Sequence, residues 1–340
     1  MREPRFWWHK PGVAAYLLWP VAAIYGAITA ARMRRKGLRA DIPVICVGNF
    51  TLGGTGKTPT AIAIARLLIA DGETPFFLTR GYGGRLSGPV RVDPLRHRAD
   101  DVGDEPLLLA QQAPVIVSRE RAAGAALAAS CGASVIVMDD GLQNPSLMKD
   151  LSIAVADARR GFGNGFVFPS GPLRAPLTDQ FGHVKAVLKI GDGAGSARID
   201  AAAHAQSCPV LSARIEPASD AIKAFTASRS KVYAFAGIGD PDKFYITLIN
   251  AGINAPVKES FPDHHPYSED DATRILARCE REKLVPVTTE KDLARLAGRS
   301  GACGRLAAVA KAIPVSLVLD DHDTLRALLR GALAARRNRS

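Results

Sequence analysis

Between Val47 and Pro59 the chain reads VGNFTLGGTGKTP, and no other stretch restricts the possible folds as strongly. An apolar β-branched run, IPVICV, leads into it, and a helical stretch, KTPTAIAIARLLIA, leads out. Strand, Gly-rich turn and helix in that order make a phosphate-binding loop. Its glycines let backbone N–H groups converge on phosphate oxygens, its lysine reaches the β and γ oxygens, and its Ser/Thr hydroxyl serves Mg²⁺. Here Gly53, Gly54 and Gly56 supply the turn around Thr55, Lys57 the charge and Thr58 the hydroxyl. The dipole of the following helix favours the same anion. The pattern G-x-x-x-x-G-K-[ST] wants a glycine where Thr51 stands, which predicts a variant entry into the loop and not a lost site.

Downstream the pattern repeats. TPFFLTR, PVIVS, ASVIVMD and LSIAVAD read as short buried strands, with helix-like segments such as RERAAGAALAAS between some of them. Strands alternating with helices predict βαβ units and a parallel sheet, with ligands at the carboxyl ends of the strands. GDGAGSARIDAAAHAQS (191–207) reads as a loop or a weak helix. A second alternating set starts near Lys231: KVYAFAGIGDP, a helix, APVKES, a helix from Ser268, then LVPVTTEKD. The fold expected is α/β: a P-loop NTPase-like parallel sheet core over 41–225, a second, smaller α/β lobe over 226–340, and an N-terminal membrane-associated segment over 1–40. The final strand and helix, IPVSLVLDDHDTLRALLRGALAARR, are compatible with packing on either lobe.

The first forty residues are of another kind. GVAAYLLWPVAAIYGAITAA (12–31) is twenty residues without a charge, at the lower end of membrane-spanning length. Arg2, Arg5 and Lys10 precede it; Arg32, Arg34, Arg35, Lys36 and Arg39 follow. Tyr16, Trp19 and Tyr25 are interface-seeking types. A secretory signal is disfavoured, because the phosphate loop behind it needs cytosolic nucleotide. A buried core helix and a membrane-seated helix remain, and the flanking cations favour the second. The net charge of +11 over 340 residues points to an anionic partner. No nucleic-acid motif is present to claim it. Five cysteines lie far apart with no C-x-x-C pair, which fits free thiols in a reducing compartment.

A phosphate loop needs an acidic partner at a strand end, and ASVIVMDDG supplies Asp139 and Asp140 as candidates to hold Mg²⁺. Two switch classes fit poorly. Membrane-partition ATPases carry a lysine where Leu52 stands, and TTEKD (288–292) lacks the spacer of a GTPase base-reading N-K-x-D. A phosphotransferase also needs a group that takes the acceptor's proton. DVGDEP offers Asp104 and Glu105 ahead of an apolar helix, and FPDHHPYS offers Asp263, His264 and His265. Spacing alone does not separate either from a helix cap or a polar turn.

Taken together, VGNFTLGGTGKTP, LTRGYGG, GDEP, MDDGLQN, FGNGFVFPSGPLR, FAGIGDPDKF, FPDHHPYS and TTEKD resemble the tetraacyldisaccharide 4′-kinase family, the lipid A 4′-kinases of Gram-negative bacteria, along nearly the whole chain. That family typically carries Ser or Thr where Thr51 stands. The resemblance implies transfer of the ATP γ-phosphate to the 4′-hydroxyl of a tetra-acylated glucosamine disaccharide 1-phosphate, giving lipid IVA. It implies Lys57 and Thr58 on phosphates and Mg²⁺, Asp139 and Asp140 around the metal, and Asp104 as base, assisted by His264. Glu105, Arg121 and Arg174 would face substrate or phosphate, and Tyr82 would line the site. Two positions depart: Ala175 stands where the family often has Glu, and Asn144 where His is common. The implied partners are the lipid disaccharide and an anionic membrane surface, with no nucleic acid and no obligate protein partner. The implied place is the cytoplasmic face of the bacterial inner membrane, peripheral or monotopic through the first helix. The competing expectation is a membrane-associated P-loop ATPase switch that transfers nothing to lipid.

Overall fold

The apolar runs assemble into two sheets in the computed structural model, which describes residues 3–228 and 230–338. In chain order the strands are β1 (Val44–Asn49), β2 (Pro75–Thr79), β3 (Val90–Arg91), β4 (Val115–Val117), β5 (Val135–Asp139), β6 (Leu151–Asp157), β7 (Ala186–Ile190) and β8 (Val210–Pro217). There follow β9 (Val232–Ala236), β10 (Val257–Ser260), β11 (Val285–Thr288), β12 (Lys311–Ala312) and β13 (Val315–Leu319). The larger sheet has nine strands in the order β13-β8-β7-β6-β1-β5-β2-β4-β3. Its interior pairs are parallel; the edge strands β3 and β13 run antiparallel to their neighbours. Helices cover both faces, so the central strands are buried on both sides and read as continuous apolar runs.

Alternation within those runs sorts side chains between the two faces. Ile45 and Val47 of β1 and Val135 and Val137 of β5 join Ile64 and Leu68 of the helix Lys57–Ala70 on one face. Val44, Cys46, Ile136 and Met138 join Ala125 and Ala128 of the helix Arg121–Ser130 on the other. Register places Val47 beside Asp139 and Asn49 beside Val155. The carboxyl ends of β1, β5 and β6 therefore open side by side at the sheet's centre.

The smaller sheet is parallel, in the order β10-β9-β11-β12. Tyr233 and Phe235 pack on one side of β9, and Val232, Ala234 and Ala236 on the other. The final strand and helix, which the sequence left open, return to the large sheet. β13 pairs with β8, and Leu325, Leu329 and Leu333 of the helix His322–Arg337 enter the same apolar cluster as Ile64. A free edge on β8 and an apolar helix stripe supply the reason. The small sheet thus draws all its strands from residues ahead of β13. Within 191–207, Ser196–Ala205 is a helix, because Ile199 and Ala203 bury against the core.

The apolar N-terminal stretch forms a helix, Val13–Met33. It docks through a narrow stripe of mostly small residues: Ala15, Ala22, Gly26, Ala30 and Met33. Trp7 anchors its leading end, with Nε1 donating to the Pro169 carbonyl at 3.0 Å. The opposite face shows Val13, Leu17, Ile24 and Ile28 at 62–77% exposure, too open for a core helix. Arg32, Arg34, Arg35, Lys36 and Arg39 at its carboxyl end are also exposed.

Candidate active site

The loop after β1 meets the helix Lys57–Ala70 at Gly56, whose φ of 97° is left-handed. That backbone conformation favours glycine, and a Cβ there would also press on Ile190 Cδ1 at 2.5 Å. Thr51, at the departure from the pattern, is tied down by its main chain. Its carbonyl accepts from Asn49 Nδ2 at 2.6 Å and from Arg174 Nε at 3.0 Å. Arg174 also donates through Nη1 to Asp140 Oδ1 at 2.8 Å, joining the loop to the end of β5.

Lys57 stands 3.8 Å from Asp140 and is half-buried, and desolvation lowers its proton affinity. The two acids behave differently. For Asp140, burial would raise the carboxyl, but Arg174 and Lys57 outweigh it and hold it near 2. For Asp139, burial and then the neighbouring Glu105 push the carboxyl up to about 7. Asp139 Oδ1 has no hydrogen-bond partner, and neither has the buried Thr55 hydroxyl. A buried, unpartnered carboxylate beside a lysine suits a cation. Arg121 is only 2% exposed; it donates to the Ser118 carbonyl at 3.1 Å, its Nε has no hydrogen-bond partner, and its charge supports Asp139 and Asp140.

Asp104 opens a short helix, Asp104–Leu109, behind Gly103. Gly103 has φ 93°, and a Cβ there would approach the Tyr82 carbonyl to 2.5 Å, so RGYGG and GDEP are packed backbone to backbone. Glu105 faces the phosphate loop, with the Thr58 hydroxyl 3.5 Å from its Oε1. Asp104 is 3% exposed and faces the small lobe. His264 Nδ1 lies 3.4 Å from Asp104 Oδ2, bringing together the two groups that spacing could not link. The bond to Asp104 raises the imidazole's proton affinity. For Asp104, burial would raise the carboxyl, but the bond to His264 and the charges of Arg295 and Lys291 hold it well below the usual carboxylate range. Tyr82 is 69% exposed, its ring 5.0 Å from that of His264. His265 turns away and bonds Asp271 at 2.9 Å.

Two site residues escaped the sequence reading. Lys291 bonds Glu105 Oε1, and Arg295 Nε donates to Asp104 Oδ2 at 2.6 Å. Both lie on the helix Glu290–Leu296, four residues apart and so on one face. They meet two consecutive carboxylates. The signal in the sequence is that spacing in TTEKDLAR, whose first five residues carry the family resemblance without assigning a role to either cation.

Parallel sheet, glycine loop, half-buried lysine and an acidic strand end define a P-loop phosphotransferase, with an Asp–His pair assembled across two lobes. The family model described as tetraacyldisaccharide-1-P 4′-kinase matches residues 14–334, and the chain belongs to that family. It is 50% identical over 334 residues to the tetraacyldisaccharide 4′-kinase of Nitrobacter winogradskyi, covering 98% of each chain. It is 52% identical to that of Nitrobacter hamburgensis, covering 97% of each. Among solved structures it is similar to LpxK from Aquifex aeolicus, described as an "apo" form in complex with ATP, with a TM-score of 0.70 and 25% identity. That match covers 94% of this chain and 99% of the other.

Proposed function

We propose that the chain transfers the γ-phosphate of ATP to the 4′-hydroxyl of tetraacyldisaccharide 1-phosphate, forming lipid IVA in lipid A biosynthesis. The observation that carries the reading is the joining of Asp104 and His264 at 3.4 Å beside a phosphate loop reached through Glu105 and Thr58. In the transfer, the acceptor oxygen forms a bond to the γ-phosphorus and the bond from that phosphorus to the β-bridging oxygen breaks, leaving ADP with the electron pair. The acceptor's proton passes to Asp104. His264, with Nδ1 3.4 Å from the same carboxylate, orients it and offers a second acceptor to which the proton can pass. Lys57 and the backbone N–H groups of 53–58 hold the phosphates.

Thr58, Asp139 and Asp140 would hold Mg²⁺, and the unpartnered oxygen of Asp139 fits that role. A bound Mg²⁺ neutralises charge on the phosphoryl oxygens.

The helix Val13–Met33 seats the enzyme on the cytoplasmic face of the inner membrane, where the substrate's acyl chains lie. Its exposed apolar face enters the bilayer boundary, and the cations at 32–39 meet anionic headgroups. The deciding experiment is incubation of the full chain with ATP, Mg²⁺ and disaccharide 1-phosphate in mixed vesicles. A doubly phosphorylated lipid is expected. ATP consumption without it would replace the kinase by a nucleotide-driven switch.

A further inference from the structure

Arg295 is 9% exposed and its guanidinium spans the cleft between the lobes. Nε donates to Asp104 Oδ2 at 2.6 Å, and Nη2 touches the same oxygen. Nη1 donates at 2.7 Å both to the Gly237 carbonyl and to Asp292 Oδ1. Asp292 is itself fully buried and fixed by the Gly237 N–H at 2.9 Å and the Tyr267 hydroxyl at 2.8 Å. The Gly237 carbonyl has a second donor, the backbone N–H of His264, at 3.0 Å. His264 sits at φ 56°, a left-handed conformation that a non-glycine residue holds only when its surroundings impose it.

One planar side chain therefore grips the carboxylate of Asp104 and also the carbonyl on which His264 hangs. We propose that Arg295 is a positioning residue of the phosphotransfer reaction: it fixes Asp104 and His264 relative to each other by bridging that carboxylate to the Gly237 carbonyl. The inference rests on the reading of Asp104 and His264 as the proton-accepting pair. A guanidinium suits the task because its donors leave in fixed directions, so it can serve two acceptors at once; an ammonium reaching Asp104 cannot also hold the carbonyl in the same geometry. The pair sits where a misplacement of about 1 Å costs on the order of 10²-fold in rate.

The test is a set of variants assayed for lipid phosphorylation, with nucleotide binding and thermal melting as controls for folding. Arg295→Ala is expected to lower kcat about 10²-fold while KM for ATP stays within about 3-fold, because the phosphate loop is untouched. Arg295→Lys should recover part of the loss, and methylguanidinium added to Arg295→Ala should recover more. Adding Asp104→Asn to Arg295→Ala should cost little beyond Asp104→Asn alone, since both act on one carboxylate. Parental kcat in Arg295→Ala, or independent losses in the double variant, would overturn the inference. Should Arg295→Ala not fold, Arg295→Lys carries the test, and parental kcat there has the same force. The underlying reading fails separately: an active Asp104→Asn removes the base, whereas an inactive Asp104→Asn beside a fully active Arg295 variant removes only the positioning role.

Discussion

On the large-sheet side of the cleft, Lys57 stands 3.8 Å from Asp140 and Asp139 keeps an oxygen without a partner. On the small-sheet side, Lys291 and Arg295 are in contact with Glu105 and Asp104. The first arrangement is built within one lobe and leaves unmatched polarity for a ligand. The second matches charge against charge between lobes. Other contacts across the divide are of the same kind: Arg160 reaches Asp240 at 3.0 Å, and Lys243 reaches Asp157 at 2.6 Å. Apolar clusters, by contrast, close inside each lobe. Apolar burial is thus concentrated in the two cores, while the seam between them is made of buried and half-buried charge pairs.

That contrast can be broken at several points. Asp104→Asn should have the largest effect, lowering kcat by about 10²- to 10⁴-fold with little change in ATP affinity; steady-state kinetics at saturating lipid decides it. Ile136→Ala, in the fully buried centre of the large sheet, should cost about 2–5 kcal/mol of stability, read by denaturant unfolding, with turnover kept at low temperature. An activity loss out of proportion to unfolding would place catalytic strain in the core.

Asp139 sharpens the comparison through pH. Its carboxyl titrates near 3.8 when unstructured and is raised to about 7 by burial and then by Glu105. A raised carboxyl contributes stability that is present below 3.8 and is lost as pH rises through 7. His264, raised by its bond to Asp104, contributes with the same sign. Nucleotide-free protein should therefore melt lower at about pH 8 than at about pH 5. Asp139→Asn should flatten that slope and abolish the Mg²⁺ dependence of nucleotide binding, as seen by calorimetry. A slope unchanged by the substitution would show that Asp139 is ionised without its ligand.

The smallest effect is expected at the seam. Lys243→Ala removes the half-exposed partner of Asp157, a buried carboxylate that keeps the Arg159 N–H at 3.0 Å, and should change stability by about 1–2 kcal/mol. A larger loss would mean that the lobes fold as one unit.

Much of the architecture was legible because its causes are local. β-branched runs, the glycines at 53, 54 and 56 and the helix behind them specify strand, turn and helix from neighbours in the chain. The same holds for Lys57, Thr58, Asp139 and Asp140, whose placement follows from a loop and a strand end. The apolar stretch after Gly12 was legible as a helix, but whether it was core or surface depended on what packs against it. Only folding showed Leu17, Ile24 and Ile28 left open.

Sequence by itself thus determined the phosphate loop, the α/β alternation and the set of words shared with the lipid kinases. The tertiary structure alone decided that β13 completes the large sheet, that Arg121 is buried, and that Arg295 joins Asp104 to the carbonyl holding His264. The physical reason is distance along the chain. A turn or a helix dipole acts over a few residues, whereas the Asp104–Arg295 contact closes a separation of 191 residues, and no local propensity records which distant charge a buried carboxylate will meet.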